Sequence, residues 1–333
     1  MENEPLVEVE NLRKLFPVRG GFLDSLLGRK ERFLHAVDGV SFHINHGETL
    51  GLAGESGCGK TTTGMLLVLL ETPTDGTIKY QGTDISTLNK KEQNEFRATV
   101  QIIFQDPYES LDPRFRVFDA IMEPLAINHI GSSKAEREKM VYEMLEEVEL
   151  KPVEMFVEKY PHELSGGQRQ RVAIARSMIL KPKLIIADEP VSMLDASVKV
   201  GIMNLMSRLK EEFNATYLLI THDLSVSRYM CDRIAIMYLG VIVEIGPTEE
   251  VISDPRHPYT KMLISSVPVP DPIFNRQRTR NPGEIPIPID LPQRCRFHSR
   301  CAHVEDICAT CEPELQEIGK NHFVACHQLQ KDG

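Results

Sequence analysis

The chain has 333 residues, room for a large core and for two domains. Hydrophobic residues make up 41% and charged residues 26%, values of a globular protein rather than a disordered or fibrous one. With 38 Lys and Arg against 48 Asp and Glu the formal net charge is −10, which argues against a general nucleic-acid binder.

The opening Met1-Glu-Asn-Glu-Pro is acidic and offers no apolar signal-peptide core. The richest apolar run, Met65 to Leu70, is too short to span a bilayer. A cytosolic protein, or one peripheral on the cytosolic side of a membrane, is expected. Leu6 to Leu12 alternates as a half-buried strand, and Ala36 to Ile44 as another. Between them Arg19 to Phe33, basic and glycine-containing, predicts a surface loop or short helix. Thr49 to Ala53 is a short buried strand running into Gly54-Glu-Ser-Gly-Cys-Gly-Lys-Thr61, after which Thr62 to Leu70 predicts a helix. Ile78 to Tyr80 and Val100 to Phe104 predict strands, and Ser133 to Leu150 and Lys199 to Phe213 carry the helical period.

From Gln168 to Leu180 the apolar positions Val172, Ala175, Met178 and Ile179 again keep helical spacing. Ser165-Gly166-Gly167 just before them suits a helix start where backbone approaches a ligand closely, and the positive N-terminus suits an anion. Leu184 to Ala187 and Tyr217 to Ile220 are continuous apolar runs, as in parallel strands buried on both faces. Strands alternating with helices imply an α/β core. After Val267 the prolines at 268, 270, 272, 282, 286, 288 and 292 exclude regular helix and predict an extended, stiff linker. We therefore divide the chain into residues 1–255 and a C-terminal extension, 256–333.

Gly54-x4-Gly59-Lys60-Thr61 fits a phosphate loop with the right strand–loop–helix context. Gly54, Gly57 and Gly59 let consecutive amides turn inward around β- and γ-phosphates. Ser56, Gly57, Cys58, Gly59, Lys60, Thr61 and Thr62 form the nucleotide-binding stretch. Lys60 supplies a point charge and the Thr61 hydroxyl a ligand for Mg²⁺. Cys58 inside the loop is read as a small space-filler. The strand ending in Asp188-Glu189 supplies two carboxylates: Asp188 to hold Mg²⁺ through water and Glu189 to polarise the attacking water.

In this order, phosphate loop, Leu164-Ser-Gly-Gly-Gln168 and acidic strand end, the chain resembles the ABC-type ATPases. The resemblance implies a parallel-sheet core with an antiparallel β part and a helical subdomain. It also implies further site residues. Gln105 resembles the glutamine that reaches Mg²⁺ and the attacking water, His222 the histidine that contacts the γ-phosphate, and Phe16 the aromatic that stacks on adenine. Ser192-Met-Leu-Asp195 resembles the dimer-contact loop, with Met193 where the family usually has a small residue. Ser165, Gly167 and Gln168 would meet ATP held by a facing subunit, so ATP closes a dimer and hydrolysis opens it.

Five of the seven cysteines lie between Cys295 and Cys326, and in a reducing compartment such clustering points to metal more than to disulfides. Cys295-x5-Cys301-x6-Cys308-x17-Cys326 follows Gly283 to Pro292, and Asp254 to Thr260 and Val324 to His327 belong to the same pattern. Together they resemble the ATPase subunits of dipeptide and oligopeptide importers, over essentially the whole chain. That resemblance implies a [4Fe–4S] cluster on Cys295, Cys301, Cys308 and Cys326. Cys308-x2-Cys311 and the histidines at 298, 303, 322 and 327 leave zinc as an alternative. The tail has little apolar core of its own, which favours a structural staple.

The implied partners are a second ABC ATPase subunit (the same chain or a related one), two transmembrane permease subunits and an extracytoplasmic peptide-binding protein, with no nucleic acid. The coupling surface is expected near Asp106 to Phe118, and the place is the cytoplasmic face of the membrane. Nickel importers share the architecture and remain an alternative for the cargo. A soluble ABC ATPase acting on DNA or ribosomes would show a long coiled coil or tandem ATPase domains, and the sequence has neither. A redox-sensing regulator, with the cluster as its active part, is the remaining alternative.

Overall fold

The computed structural model describes residues 4–18, 31–266 and 286–331. In chain order they form β1 (Val7–Val18), β2 (Arg32–Ile44), β3 (Thr49–Ala53), α1 (Lys60–Leu67), β4 (Asp75–Tyr80), β5 (Thr83–Asp84), α2 (Lys90–Thr99), β6 (Val100–Ile103), α3 (Pro107–Ser110), α4 (Val117–Ile127) and α5 (Lys134–Glu147). There follow α6 (Gly166–Met178), β7 (Leu184–Asp188), α7 (Ala196–Phe213), β8 (Thr216–Thr221), α8 (Leu224–Met230), β9 (Arg233–Tyr238), β10 (Val241–Pro247), α9 (Thr248–Ser253), α10 (Pro258–Ser266), β11 (Gln316–Gly319) and β12 (His322–Val324). The chain separates into two compact units. One is Met1–His43, Leu50–Asp84 and Thr221–Gly333; the other is Ile44–Thr49 and Ile85–Ile220.

The first unit holds an antiparallel sheet, ordered β2-β1-β4-β5. Alternation in β1 puts Val7 and Val9 into the core and Glu8 and Glu10 outward, with Val7 opposite Tyr80 and Val9 opposite Ile78. The strand continues past Leu12, where the sequence pattern ends, because a register shift between Glu10 and Arg13 resets the alternation. In the same unit β3 runs parallel to β9, and β9 turns into antiparallel β10 through Leu239 and Gly240. Both turn residues have positive φ, as a two-residue hairpin with right-handed strand twist requires. The next strands are β12 and β11, so the extension continues this sheet.

Cys295, Phe297 and Cys308 lie in one buried cluster with Ile234, Ile236, Tyr238, Val243 and Tyr259. The extension thus borrows apolar partners from β9 and β10 that its own composition does not supply. The boundary after residue 255 falls inside this unit.

In the second unit β6, β7 and β8 pair in parallel, with Val100 opposite Leu184 and Leu184 opposite Thr216. All residues of β7 and β8 are buried, which explains their unbroken apolar runs. Helix α6 turns Val172, Ile174, Ala175 and Met178 inward, and Ser177 fastens it to β6 by donating to the Ile102 carbonyl at 3.1 Å. Helix α7 ends at Asn214, which takes the left-handed conformation with φ 49°.

Helix α1 starts at Lys60 and stops at Leu67, short of the expected Leu70, because Leu69 turns to φ 58°. Of the expected loop between β1 and β2, Arg19–Lys30 lies outside the described residues, whereas Arg32 and Phe33 already belong to β2. The proline-rich linker lies outside them up to residue 285. Its end is extended, as expected, and runs beside β2: the His35 amide donates to the Pro288 carbonyl at 2.8 Å. Among the described residues no helix is long and apolar enough to cross a membrane.

Candidate active site

The phosphate loop belongs to the first unit. A Cβ on Gly54 would stand 2.2 Å from the Met237 carbonyl oxygen, and one on Gly59 2.0 Å from that of Ala36, so backbone from β9 and β2 closes on both positions. Gly57 has open space around it, and its requirement is its φ of 78°. Lys60 is buried, and its ammonium donates to the Gly54 and Glu55 carbonyls, each at 2.9 Å. The loop therefore holds its own cation in place before any phosphate arrives. Ser56 and Thr61 are exposed and Thr62 is half-buried. Burial pushes the Cys58 thiol up, which makes this cysteine the inert space-filler its size suggested.

Phe16 is half-buried on β1, with the Lys14 ammonium 4.9 Å from its ring centroid. Lys14 is held there by Glu71 at 2.7 Å and the Thr72 carbonyl at 2.8 Å. His222 is exposed just beyond β8. The next residue, Asp223, caps α8 by accepting from the Ser225 amide at 2.9 Å, which fixes the turn that carries the histidine.

The other candidate residues belong to the second unit. Asp188 closes β7 with 4% exposure, and Glu189 follows in the left-handed conformation, φ 46°. That backbone costs on the order of 1 kcal/mol in a residue with a Cβ. The turn is secured by the Glu189 amide donating to the Ile220 carbonyl at 2.9 Å and by the Ser192 hydroxyl donating to the Glu189 carbonyl at 3.0 Å. The Gln105 carboxamide then donates to the Glu189 carboxylate at 3.0 Å. Met193, in the loop that resembles the family's dimer contact, is 63% exposed.

Ser165 is the cap of α6. Its hydroxyl accepts from the Gln168 amide at 3.3 Å while the Gln168 side chain accepts from the Ser165 amide at 3.0 Å. Gly167 leaves no room for a side chain against Val198, whose Cγ1 would lie 2.5 Å from a Cβ. The turn before the cap is clamped by Arg169, a residue the sequence pattern does not single out. It is buried, donates to the Pro161 and Leu164 carbonyls at 2.9 and 2.8 Å, and lies 3.5 Å over the Tyr108 ring.

All seven cysteines are free thiols. Burial pushes the Cys295 thiol up to about 12, and charge on Cys308, Cys326 and Cys301 would push it further, so these four share one neighbourhood. Cys311 is exposed, and its thiol donates to the Glu312 carbonyl at 3.5 Å. Four cysteines in one neighbourhood carry the donor type that a Cys₄ group takes. Among the described residues, however, no three His, Cys, Asp or Glu side chains are disposed to hold a metal ion as they stand. Thr61 and Asp188 carry the hard oxygen donors that Mg²⁺ takes.

Two families of known sequence match the chain: "ABC transporter" over residues 37–192, and "Oligopeptide/dipeptide transporter, C-terminal region" over residues 243–308. The putative oligopeptide transport ATP-binding protein YkfD of Bacillus subtilis is 46% identical over 98% of this chain and 96% of its own length. The dipeptide transport ATP-binding protein DppF of Escherichia coli is 42% identical over 99% and 96%. Among solved structures, the dimeric post-hydrolysis state of the ATP-binding cassette MJ0796 bound to ADP and Pi is 30% identical, with a TM-score of 0.63, covering 73% of this chain and 98% of that one. CbiO1 from Clostridium perfringens, part of the ABC transporter complex cbiONQ, is 27% identical with a TM-score of 0.63, covering 76% and 92%.

Fold and phosphate loop together define an ABC-type ATPase. Within that class the chain belongs, over its whole length, to the family of oligopeptide and dipeptide transport ATP-binding proteins.

Proposed function

We propose that this protein powers the import of di- and oligopeptides by binding ATP between two ATPase subunits and hydrolysing it. The observation that carries this is the full-length similarity to peptide-transport ATP-binding proteins, joined to a phosphate loop whose lysine is already held at its mouth. Lys60 and the amides of residues 56–62 take the β- and γ-phosphates, and Phe16 stacks on adenine. Thr61, Asp188 and Gln105 would hold Mg²⁺, which would supply positive charge to the phosphoryl oxygens. Glu189 polarises the attacking water, oriented by Gln105, and His222 contacts the γ-phosphate. Ser165, Gly167 and Gln168 bind the same phosphate from the facing subunit. Loss of the γ-phosphate removes that contact and lets the dimer open.

Coupling requires two permease subunits and an extracytoplasmic peptide-binding protein, and places the ATPase on the cytoplasmic face of the membrane. The second unit offers a cavity of about 550 Å³ lined by Tyr108, Asp112, Phe115, Glu123 and Arg176, in the stretch expected to couple. Residues 1–255 act as the ATPase domain and 256–333 as its importer-specific extension. In that extension Cys295, Cys301, Cys308 and Cys326 would hold a [4Fe–4S] cluster, with zinc the alternative; either supplies a covalent cross-link among chain segments with little core of their own.

Two experiments test this. Reconstitution with the permeases and a peptide-binding protein in vesicles should give ATPase activity stimulated by peptide; stimulation by nickel alone would move the cargo to the metal-importer alternative. Iron, zinc and acid-labile sulfide per chain, on protein purified without oxygen, decide the tail: zinc without sulfide would reject the cluster.

A further inference from the structure

An acidic residue in a loop built for phosphate is out of place. Glu55, the second residue of Gly54-Glu-Ser-Gly-Cys-Gly-Lys-Thr61, would repel a nucleotide if its charge were uncompensated. The compensating charge comes from the C-terminal extension. Arg300 grips the Glu55 carboxylate with two parallel bonds, Nη1 to Oε2 at 2.7 Å and Nη2 to Oε1 at 2.9 Å. The Arg300 side chain is 2% exposed and that of Glu55 18%. A second tie runs through the backbone, where the Glu55 amide donates to the Tyr259 hydroxyl at 2.9 Å.

Both anchors are themselves immobilised. Tyr259 is fully buried, with ring centroids 4.6 Å from Tyr238 and 5.4 Å from Phe297. The Arg300 guanidinium lies 5.6 and 5.8 Å from the same two rings. Arg300 also stands in the thiol turn, next to Cys301, with its amide donating to the Phe297 carbonyl at 3.0 Å. On the other side of the loop, the Glu55 carbonyl accepts from the Lys60 ammonium at 2.9 Å. A continuous path therefore runs from the extension through both ends of Glu55 to the cation that meets the phosphates.

We propose that Arg300 and Tyr259 are positioning residues for the phosphate loop: by neutralising and orienting Glu55 they set the affinity for ATP. This deepens the function proposed above and rests on its assignment of residues 54–61 to the nucleotide. The role belongs to two residues of the extension, and neither touches the nucleotide.

The test uses the full chain, with Kd for Mg²⁺ and a fluorescent (mant) ATP analogue, and KM against kcat for ATP. Arg300→Gln leaves Glu55 charged and unpaired, and should weaken nucleotide binding about tenfold, the effect of one charge-assisted contact. The double variant Glu55→Gln with Arg300→Gln puts a neutral amide pair in the same space and should return Kd to within about threefold of the original. A merely structural arginine would give no such rescue. Wild-type Kd in folded Arg300→Gln, or an equal loss in the double variant, overturns the proposal.

Should Arg300→Gln not fold, Arg300→Lys and Tyr259→Phe decide. Each should raise KM for ATP about threefold or more with kcat nearly unchanged, since one hydrogen bond is removed and the chemistry is not touched. Wild-type KM in either rejects the role of that residue. Lys60→Ala is the control for the underlying assignment: if it binds nucleotide normally, the phosphate site is misplaced and the failure is not that of Arg300.

Discussion

Gln105 and Glu189, 84 residues apart in sequence, are joined by a hydrogen bond of 3.0 Å from carboxamide to carboxylate. The bond holds a glutamate whose backbone is already constrained to the left-handed region, φ 46°. If Glu189 is the base proposed above, this bond fixes the direction of its carboxylate.

Glu189→Gln should therefore bind ATP normally and hydrolyse it about 10²–10⁴-fold more slowly. With hydrolysis blocked, ATP should drive the chain into a closed dimer visible by light scattering. Phosphate release at the wild-type rate would reject Glu189 as the base.

Lys60→Ala separates the loop's two tasks. The lysine is buried and its bonds to the Gly54 and Glu55 carbonyls are internal, so nucleotide-free stability should fall by about 1–3 kcal/mol. A further loss should appear in nucleotide binding, weakened by roughly 10- to 100-fold, the worth of a charged hydrogen-bond partner. Melting scans with and without Mg-ATP measure both at once.

Ser165→Ala removes one arm of the reciprocal cap on α6 and should cost about 1 kcal/mol of stability. If the serine also meets ATP across a dimer, ATPase activity should fall much further than that loss explains. Equal activity per folded molecule would confine Ser165 to capping.

His257 sets a pH limit. Burial lowers its imidazole to about 4, partly opposed by the charge of Glu244 and helped by Lys261. Its Nδ1 accepts from the Tyr259 amide at 3.0 Å, a bond that needs the neutral ring. Because the folded value lies below the unfolded one, near 6.5, its contribution is complete above that pH and declines as pH falls toward 4. Between pH 7 and 4.5 the loss should be about 2–3 kcal/mol, and His257→Asn should lack it. Urea unfolding at the two pH values tests this; the same loss in both proteins would assign the acid limb to other groups.

Sequence spacing makes the phosphate loop legible because its glycines, lysine and threonine act within eight consecutive residues. The buried strands β7 and β8 are legible for the same reason, since both faces demand apolar residues. A carboxylate such as Glu55 inside an anion-binding loop needs a cation, and nothing in the loop pattern itself draws attention to it. Which cation could not be read: Arg300 lies 245 residues away, among basic neighbours that look alike. Likewise Phe297 gives no local sign that it packs on Tyr238 rather than on its own tail. The end of α1 shifted because Leu69 took positive φ where no glycine marks the stop.

The compact unit that carries the phosphate loop is assembled from three separated stretches, the last beginning at Thr221. A chain emerging from the ribosome thus makes β3 and the loop early, yet must wait for β9 before β3 has its parallel partner in that unit. The residues of the other unit have all been made once Ile220 is out. Synthesis that stops short of β9 would leave the phosphate loop without the Met237 backbone that closes on Gly54, so a truncated copy would lack part of the wall of its own loop.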